Sequence, residues 1–209
     1  MGVSARDVHD ALHSWAARLV TLGAVVVTRL RPGLSLSEAT ALAAQHGYDL
    51  TEEVAALWTW RDGVHQRPGG APAQLAPGQD FASLEDSLRR SREYRDTSAA
   101  DAAHTPPGRS TAPGGSSTDR PAWQPHWVVA VHGHALPLVL DGSRPGPDTF
   151  RHDPQSHPLH VAHSTLPQRI ARWHEMLDTG TWRVARDGTW DVDLTSLPDL
   201  GHLSRTDVT

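Results

Sequence analysis

The stretch "WTWRDGV", residues 58–64, joins an aromatic run to a charged glycine turn. Trp58 and Trp60 are two positions apart, and Asp62-Gly63 follows at once. Because glycine readily adopts the left-handed backbone of a tight turn, the pattern predicts a helix that ends here. Because they are two residues apart, Trp58 and Trp60 would point about 200° away from each other around a helix axis. We therefore expect Trp58 in the core and Trp60 folded back under the turn, since large aromatic side chains are usually buried.

Three capped helices are predicted in and before this stretch. Ser4 can cap the first helix, Ser35 and Glu38 have capping-box spacing for the second, and Thr51 can cap the third. The β-branched run at residues 24–30 is expected to be a strand or an extended connector. The inner face of the first helix is predicted to hold Val8, Leu12, Trp15 and Leu19.

After the turn, residues 61–80 are rich in Gly and Pro and are predicted to form a loop. A fourth helix is expected within residues 80–96, with Ser83 as its cap. Residues 97–121 contain almost no large apolar side chain, so they cannot bury enough surface to offset the entropy of ordering. We expect a flexible loop there, inside a single domain that spans residues 1–209.

The second half of the chain changes to short apolar runs that predict strands. Residues 127–131 and 135–140 flank His132-Gly133-His134, a pattern typical of a hairpin. Residues 148–153 and 158–163 are weaker strand candidates.

The end of the chain predicts one more helix and one more hairpin. Ser164 is the expected cap of a helix that runs to about residue 178, and Asp187-Gly188 is a hairpin turn between Trp182 and Trp190, which could pair across it. Helices that are separate in sequence from a mainly antiparallel sheet indicate an α+β fold.

Composition excludes several classes of function. The formal charge is -5, which argues against a nucleic-acid-binding protein. Cysteine is absent, so neither disulfides nor thiolate metal sites are possible. No apolar run approaches about 18 residues, and the amino terminus lacks the pattern of a secretory signal. We therefore expect a cytoplasmic protein that does not bind membranes.

Catalytic and metal-binding patterns are weak. His132 and His134 would face the same way on a strand, so they could hold zinc or nickel together with His160 or an aspartate. Their position beside a hairpin turn and the absence of an H-E-x-x-H helix motif argue against a metal site. No nucleophile elbow or phosphate loop is present. The sequence therefore predicts no catalytic residues, no cofactor and no enzyme, with a His-dependent metal hydrolase as a minor alternative.

The stretch "RPGLSLSEATALAAQHGYDLTEEVAALWTWRDGV", residues 31–64, resembles the amino-terminal signature of the SUKH superfamily, the group of the Smi/Knr cell-wall regulators. Later segments follow in the family's order, including "AWQPHWVVAV" and "LPLVLDGS", so the resemblance covers most of residues 30–192. Arg61 departs from the family, whose members often carry His there, and the usual Pro is missing at Asp49-Leu50-Thr51. The positions that match the family's structural motif are Trp58, Trp60, Asp62, Gly63 and Asp141.

The resemblance implies a binding protein and not an enzyme. Bacterial members of the family are largely immunity proteins that bind a cognate polymorphic or contact-dependent toxin, commonly a nuclease or deaminase, and fungal members are signalling scaffolds. The first expectation is therefore an immunity protein that occludes a toxin's active site, and the alternative is a scaffold or regulator. Acidic side chains near the motif would steer a basic nuclease toward it. The candidate partner contacts are Trp60, Asp62, Asp80, Glu85 and Asp86.

Overall fold

A computed structural model describes residues 3–70, 72–104, 123–124, 126–132, 138–142, 148–151 and 164–193. The fold is α+β, as predicted, with helices packed against antiparallel strands. In the described residues the helices are α1 (Ala5–Leu22), α2 (Leu36–Gln45), α3 (Glu52–Trp60), α4 (Leu84–His104) and α5 (Leu166–Asp178). The strands are β1 (Asp80–Phe81), β2 (Trp127–His132), β3 (Leu138–Asp141), β4 (Asp148–Arg151), β5 (Ser164–Thr165), β6 (Trp182–Val184) and β7 (Trp190–Val192).

The first three helices begin where their capping residues predict. The Ser4 side chain accepts a hydrogen bond from the backbone N–H three residues on, and Ser35 does the same in a full capping box with Glu38. Thr51 caps α3 through the Val54 N–H. These bonds satisfy donors that a helix start otherwise leaves unpaired. The predicted inner face of α1 is confirmed, because four residues have no exposed surface: Val8, Leu12, Trp15 and Leu19.

The prediction of a strand or extended connector at residues 24–30 is wrong, because Val25–Arg29 forms a 3-10 helix. Among the described residues, Leu30 is the one member of this segment that makes a strand-like bridge, to Val64. Val26 instead is almost fully buried in the core, and Val25 and Val27 are partly buried against it. Strand propensity reflects the fit of a side chain to a half-buried surface, and tertiary packing supplies such a surface to the 3-10 helix here.

The larger sheet is an antiparallel meander in the order β1-β2-β3-β4-β5. The predicted hairpin of β2 and β3 is confirmed, with Val129 opposite Val139. A register shift between Val129 and Val131 alters which side chains point to each face. The predicted strand at 148–153 is present as β4, while the candidate strand at 158–163 lies outside the described residues.

Helix α4 runs on to His104, so the expected loop is wrong for residues 97–104; residues 105–121 lie outside the described residues. Alanine is the best helix former, and this segment contains four, so a helix already anchored by packing can continue through them without burying large side chains. The anchored part lies against β2, and its buried face carries Ser87 and Ser91.

Helix α5 begins one residue later than predicted, since Thr165 forms the capping box with Gln168 while Ser164 pairs in β5. The last hairpin, β6 and β7, is confirmed. Its two tryptophans are in ring contact diagonally across the ribbon, with centroids 5.9 Å apart. Trp190 also stacks on Trp15 of α1.

None of the helices in the described part of the chain combines the length and the apolar character that crossing a bilayer requires.

Candidate partner-binding surface

Three segments, residues 29–34, 58–65 and 81–84, meet at the Asp62-Gly63 turn; we refer to their meeting point as the motif joint. Every neighbouring pair of these segments is linked by backbone hydrogen bonds, so the joint is held by main chain as well as by side chains. The bonds, given as donor to acceptor, are Leu34 N to Trp58 O, Asp62 N to Pro32 O, Arg31 N to Gly63 O, His65 N to Arg29 O and Val64 N to Phe81 O.

Two glycines allow the segments of the motif joint to approach so closely. Gly63 has a φ of 81°, and a Cβ there would lie 2.5 Å from the Ser83 nitrogen. A Cβ on Gly33 would collide with the carbonyl oxygen of Thr59. Neither neighbour can yield easily, because both are backbone atoms. The Pro-Gly and Asp-Gly pairs of the sequence are therefore steric requirements of the joint.

Trp58 and Trp60 are both buried, with exposed fractions of 0% and 4%. The burial of Trp60 agrees with the prediction, but the reason differs: α3 continues through Trp60 and is covered on both sides. The Trp58 ring N–H donates to the carbonyl of Ala82, and the Trp60 ring stacks near Phe81 with centroids 6.2 Å apart. On its other side Trp60 meets His13 of α1 edge-on. A contact between Trp60 and a partner is therefore blocked in this conformation.

Asp62 points into the protein and caps α4. Its exposed fraction is 8%, and one carboxylate oxygen accepts the backbone N–H of Leu84 at 2.8 Å. The other oxygen lies 3.4 Å from the Arg31 guanidinium. Burial raises the pKa of the Asp62 carboxyl, against the Leu84 N–H and Arg31, which lower it. Asp62 is thus a structural residue of the motif joint, and its carboxylate is not presented to a partner.

The remaining acidic candidates lie along β1 and the first turn of α4. Asp80 is half-buried and accepts a hydrogen bond from Gln74. Asp86 is exposed, but it pairs with Arg89 at 3.0 Å and completes the cap with Ser83, and these contacts lower the pKa of its carboxyl. Glu85 is exposed and makes no hydrogen bond or ion pair with the described part of the chain. Of the candidate acids, Glu85 is the one whose position suits a partner contact best.

Positive charge that was not predicted from the sequence borders the motif joint on its outer side. Arg61 is exposed, its guanidinium lies 5.9 Å from the centre of the Trp60 ring, and one of its nitrogens donates to the Trp60 carbonyl. Arg31 is partly exposed, and Arg67 is exposed. Arg61 and His65 are exposed on either side of the segment 62–64, in which Asp62 and Gly63 are buried and Val64 is half-buried. The arginine directly before the Asp-Gly pair was therefore the signal in the sequence.

Asp141, the last motif residue, ends β3 beside the start of β2. Its carboxylate lies 3.2 Å from the His126 ring, and the next residue, Gly142, donates its N–H to the His126 carbonyl. A Cβ on Gly142 would press on Val54 of α3. Asp141 therefore helps to close the open end of the β2–β3 hairpin over α3, which is a structural role.

The weak metal candidates are not tested by the structure. His132 ends β2, but its side chain and all of His134 lie outside what the structure describes, as does His160. In the residues whose side chains are described, no three His, Asp or Glu residues are grouped in a way that could hold a metal ion.

No protein-family model matches the chain, and no curated protein matches it significantly.

Proposed function

We propose that the chain is a cytoplasmic immunity protein of SUKH type, a non-enzymatic protein that binds a cognate toxin and covers the toxin's active site. The observation that carries the proposal is the convergence of the matching positions. Trp58, Trp60, Asp62 and Gly63 lie within a six-residue stretch of the family signature, and here they form one joint with Gly33 of the Pro-Gly turn. The residues that carry the resemblance over residues 31–64 therefore have a common structural role in this chain, which supports assigning it to the family.

The binding surface in this proposal is the solvent-facing side of the motif joint and the first turn of α4. Glu85 is the acid that faces solvent without an internal ion pair in the described residues, and it lies close enough to raise the pKa of Asp62. A helix amino terminus also offers a positive dipole end, so the surface presents both signs of charge. Such a surface suits a protein partner, whose charges can be matched pair by pair.

Co-expression tests the proposal directly. The chain is expressed with the toxin encoded by the adjacent gene, and bacterial growth and co-purification are measured. We expect growth to be rescued and the two proteins to purify together. A chain that neither rescues growth nor co-purifies is not the immunity protein of that toxin, and capture of a different cellular protein would favour the scaffold function.

Two variants that each remove one negative charge test whether the binding surface includes Glu85. Glu85→Gln is compared with Glu52→Gln, because both glutamates are exposed and lie in the first turn of a helix. Loss of an exposed charge at an interface chiefly slows association and reduces its salt dependence. We expect slower toxin association for Glu85→Gln alone. Equal rates for both variants would place the binding surface elsewhere.

A further inference from the structure

Three arginines, Arg31, Arg61 and Arg67, lie on the outer side of the motif joint; we refer to them as the arginine face. The segments that carry them are paired through Leu30 and Val64, whose side chains pack against the core. Arg31 follows Leu30 directly and is partly exposed, whereas Arg29, on the other side of Leu30, is buried. Arg61 and Arg67 lie three residues before and three residues after Val64, and both are exposed.

The arginine face is positive in a chain whose formal charge is -5. Residues 23–37 and 61–79 contain four arginines and a single carboxylate, Asp62. That carboxylate is turned inward to cap α4, so it neutralises part of Arg31 and does not screen Arg61 or Arg67 from outside. Glu85 lies in the first turn of α4, close enough to Asp62 to raise its pKa, and Asp86 is already paired with Arg89.

Two of the guanidinium groups are held in place before any partner binds. Arg61 is fixed by its hydrogen bond to the Trp60 carbonyl and by the Trp60 ring, and Arg31 is fixed by Asp62. A long side chain that is already ordered loses less entropy when it binds. A planar guanidinium also presents paired donors that match the two oxygens of a carboxylate.

We propose that the arginine face binds a carboxylate-rich patch on a protein partner. The inference rests on the proposed function for the partner being a protein, and it deepens that function by assigning the chemistry of the partner's surface. A protein patch is favoured over a nucleic acid because two exposed arginines and one partly exposed arginine give a small footprint, and the net charge of -5 repels a long polyanion.

The test uses the full-length, isotope-labelled chain and three probes: a short poly-glutamate peptide, a poly-glutamine peptide of equal length and a single-stranded DNA oligonucleotide. Amide spectra report which residues each probe touches, and the titration gives its affinity. The variant Arg61→Gln/Arg67→Gln is compared with Arg6→Gln/Arg92→Gln, which removes the same charge from exposed arginines that pair with Asp10 and Asp96.

We expect poly-glutamate to shift the amide signals of residues 61–67. Its affinity should fall about tenfold or more in the Arg61→Gln/Arg67→Gln variant, because the two lost charged contacts together weaken the binding free energy by about 1.4 kcal/mol or more. The matched variant should bind like the parent. Equal losses in both variants, absence of binding to poly-glutamate, or tighter binding of the oligonucleotide would each overturn the inference.

Growth rescue separates failure of this inference from failure of the proposed function. If the parent rescues growth and Arg61→Gln/Arg67→Gln rescues it equally well, the arginine face is not the contact, while the immunity function stands. If the parent fails to rescue but poly-glutamate binding depends on Arg61 and Arg67, the arginine face stands and the immunity function fails.

Discussion

At the scale of single residues, the motif joint depends most on glycines that meet backbone atoms. Gly63 combines a left-handed backbone with a site where a Cβ would lie 2.5 Å from the Ser83 nitrogen and 2.7 Å from the Ala82 carbonyl carbon. Gly63→Ala should therefore lower the free energy of unfolding by at least about 2 kcal/mol, because the left-handed conformation alone costs an alanine about 1–2 kcal/mol. Urea denaturation followed by circular dichroism measures the loss.

Gly69 provides the matched control for Gly63. It has a similar φ of 68°, but a Cβ there would meet nothing within 4 Å. Gly69→Ala should cost about 1 kcal/mol, from backbone strain alone. The difference between the two variants isolates the close approach of the segments at the motif joint. Equal losses would mean that the joint can open to admit a methyl group.

The buried carboxyl of Asp62 should make stability depend on pH in a recognisable way. Burial raises its pKa above the ordinary Asp value of 3.8. A group whose pKa is raised by folding contributes stability that is present below its unfolded pKa and is lost as the pH rises through the folded pKa. The parent should therefore lose stability relative to Asp62→Asn as the pH rises from below 3.8 through the raised value. Urea denaturation at a series of pH values measures the difference.

Asp187→Asn is a control for which the stability difference from the parent should change with pH in the opposite direction. Hydrogen bonds from the Thr189 side chain and backbone lower the pKa of Asp187 below 3.8. That carboxylate contributes stability above its unfolded pKa and loses it as the pH falls, so the parent should gain on Asp187→Asn as the pH rises. If the Asp62→Asn difference is flat or runs in the same direction as that of Asp187→Asn, then Asp62 is not held in a desolvated site.

At the scale of elements, α4 supplies a hydrogen-bond acceptor to the edge of strand β2. The strand β1 pairs only with Val131 and His132, so the N–H of Val129 has no strand partner on that side. The Ser91 hydroxyl accepts this N–H at 2.9 Å and donates to the Ser87 carbonyl. The buried Ser91 hydroxyl thereby satisfies a backbone N–H that a longer β1 would otherwise pair.

Ser91→Ala should leave the Val129 N–H buried without this acceptor, at a cost of about 1–3 kcal/mol in the free energy of unfolding. Hydrogen exchange at the Val129 amide should also become faster. Thr97→Ala is the control, because its hydroxyl donates to a backbone carbonyl of the same helix at an exposed position. If Thr97→Ala destabilises as much as Ser91→Ala, the loss reflects the helix itself and not its contact with β2.

The sequence predicts elements well where local chemistry determines them. Ser4, Ser35 and Thr51 cap helices as expected, because a capping side chain acts on backbone atoms only two or three residues away. The 3-10 helix of Val25–Arg29 could not be predicted in this way, since the burial of Val26 and Arg29 depends on residues that are distant in the sequence. The prediction of a loop at residues 97–104 is wrong because α4 is anchored by its earlier turns, so its last turns can stay helical without burying large side chains.

At the scale of the whole molecule, the candidate site was only partly predictable. The turn of the motif joint could be located, because Trp58, Trp60 and Gly63 lie within six residues of one another in the sequence. The inward direction of Asp62 could not, because it depends on α4 bringing the Leu84 N–H to within 2.8 Å. The exposure of Arg61 has the same cause, because the apolar and acidic residues of the turn, Trp60 and Asp62, are buried in contacts within the protein. A list of charges does not contain that information.

Contacts between distant parts of the chain predict that it unfolds as one cooperative unit. The Trp15 ring N–H of α1 donates to the Leu75 carbonyl, and the Trp190 ring N–H of β7 donates to the neighbouring Gln74 carbonyl. The two rings also stack on each other, with centroids 6.1 Å apart. The first helix, the central loop and the last hairpin therefore share one buried cluster, and none can leave it without exposing the others.

Tryptophan fluorescence and far-ultraviolet circular dichroism should accordingly give coincident transitions in urea, the behaviour of a two-state domain. Trp190→Phe keeps an aromatic ring but removes the N–H that bonds the Gln74 carbonyl. It should lower the free energy of unfolding by about 1 kcal/mol, and it should shift both transitions together because the lost bond belongs to the shared cluster. If fluorescence changes at a lower urea concentration than circular dichroism in the variant, the last hairpin detaches on its own, and residues 1–209 do not form the single domain expected from the sequence.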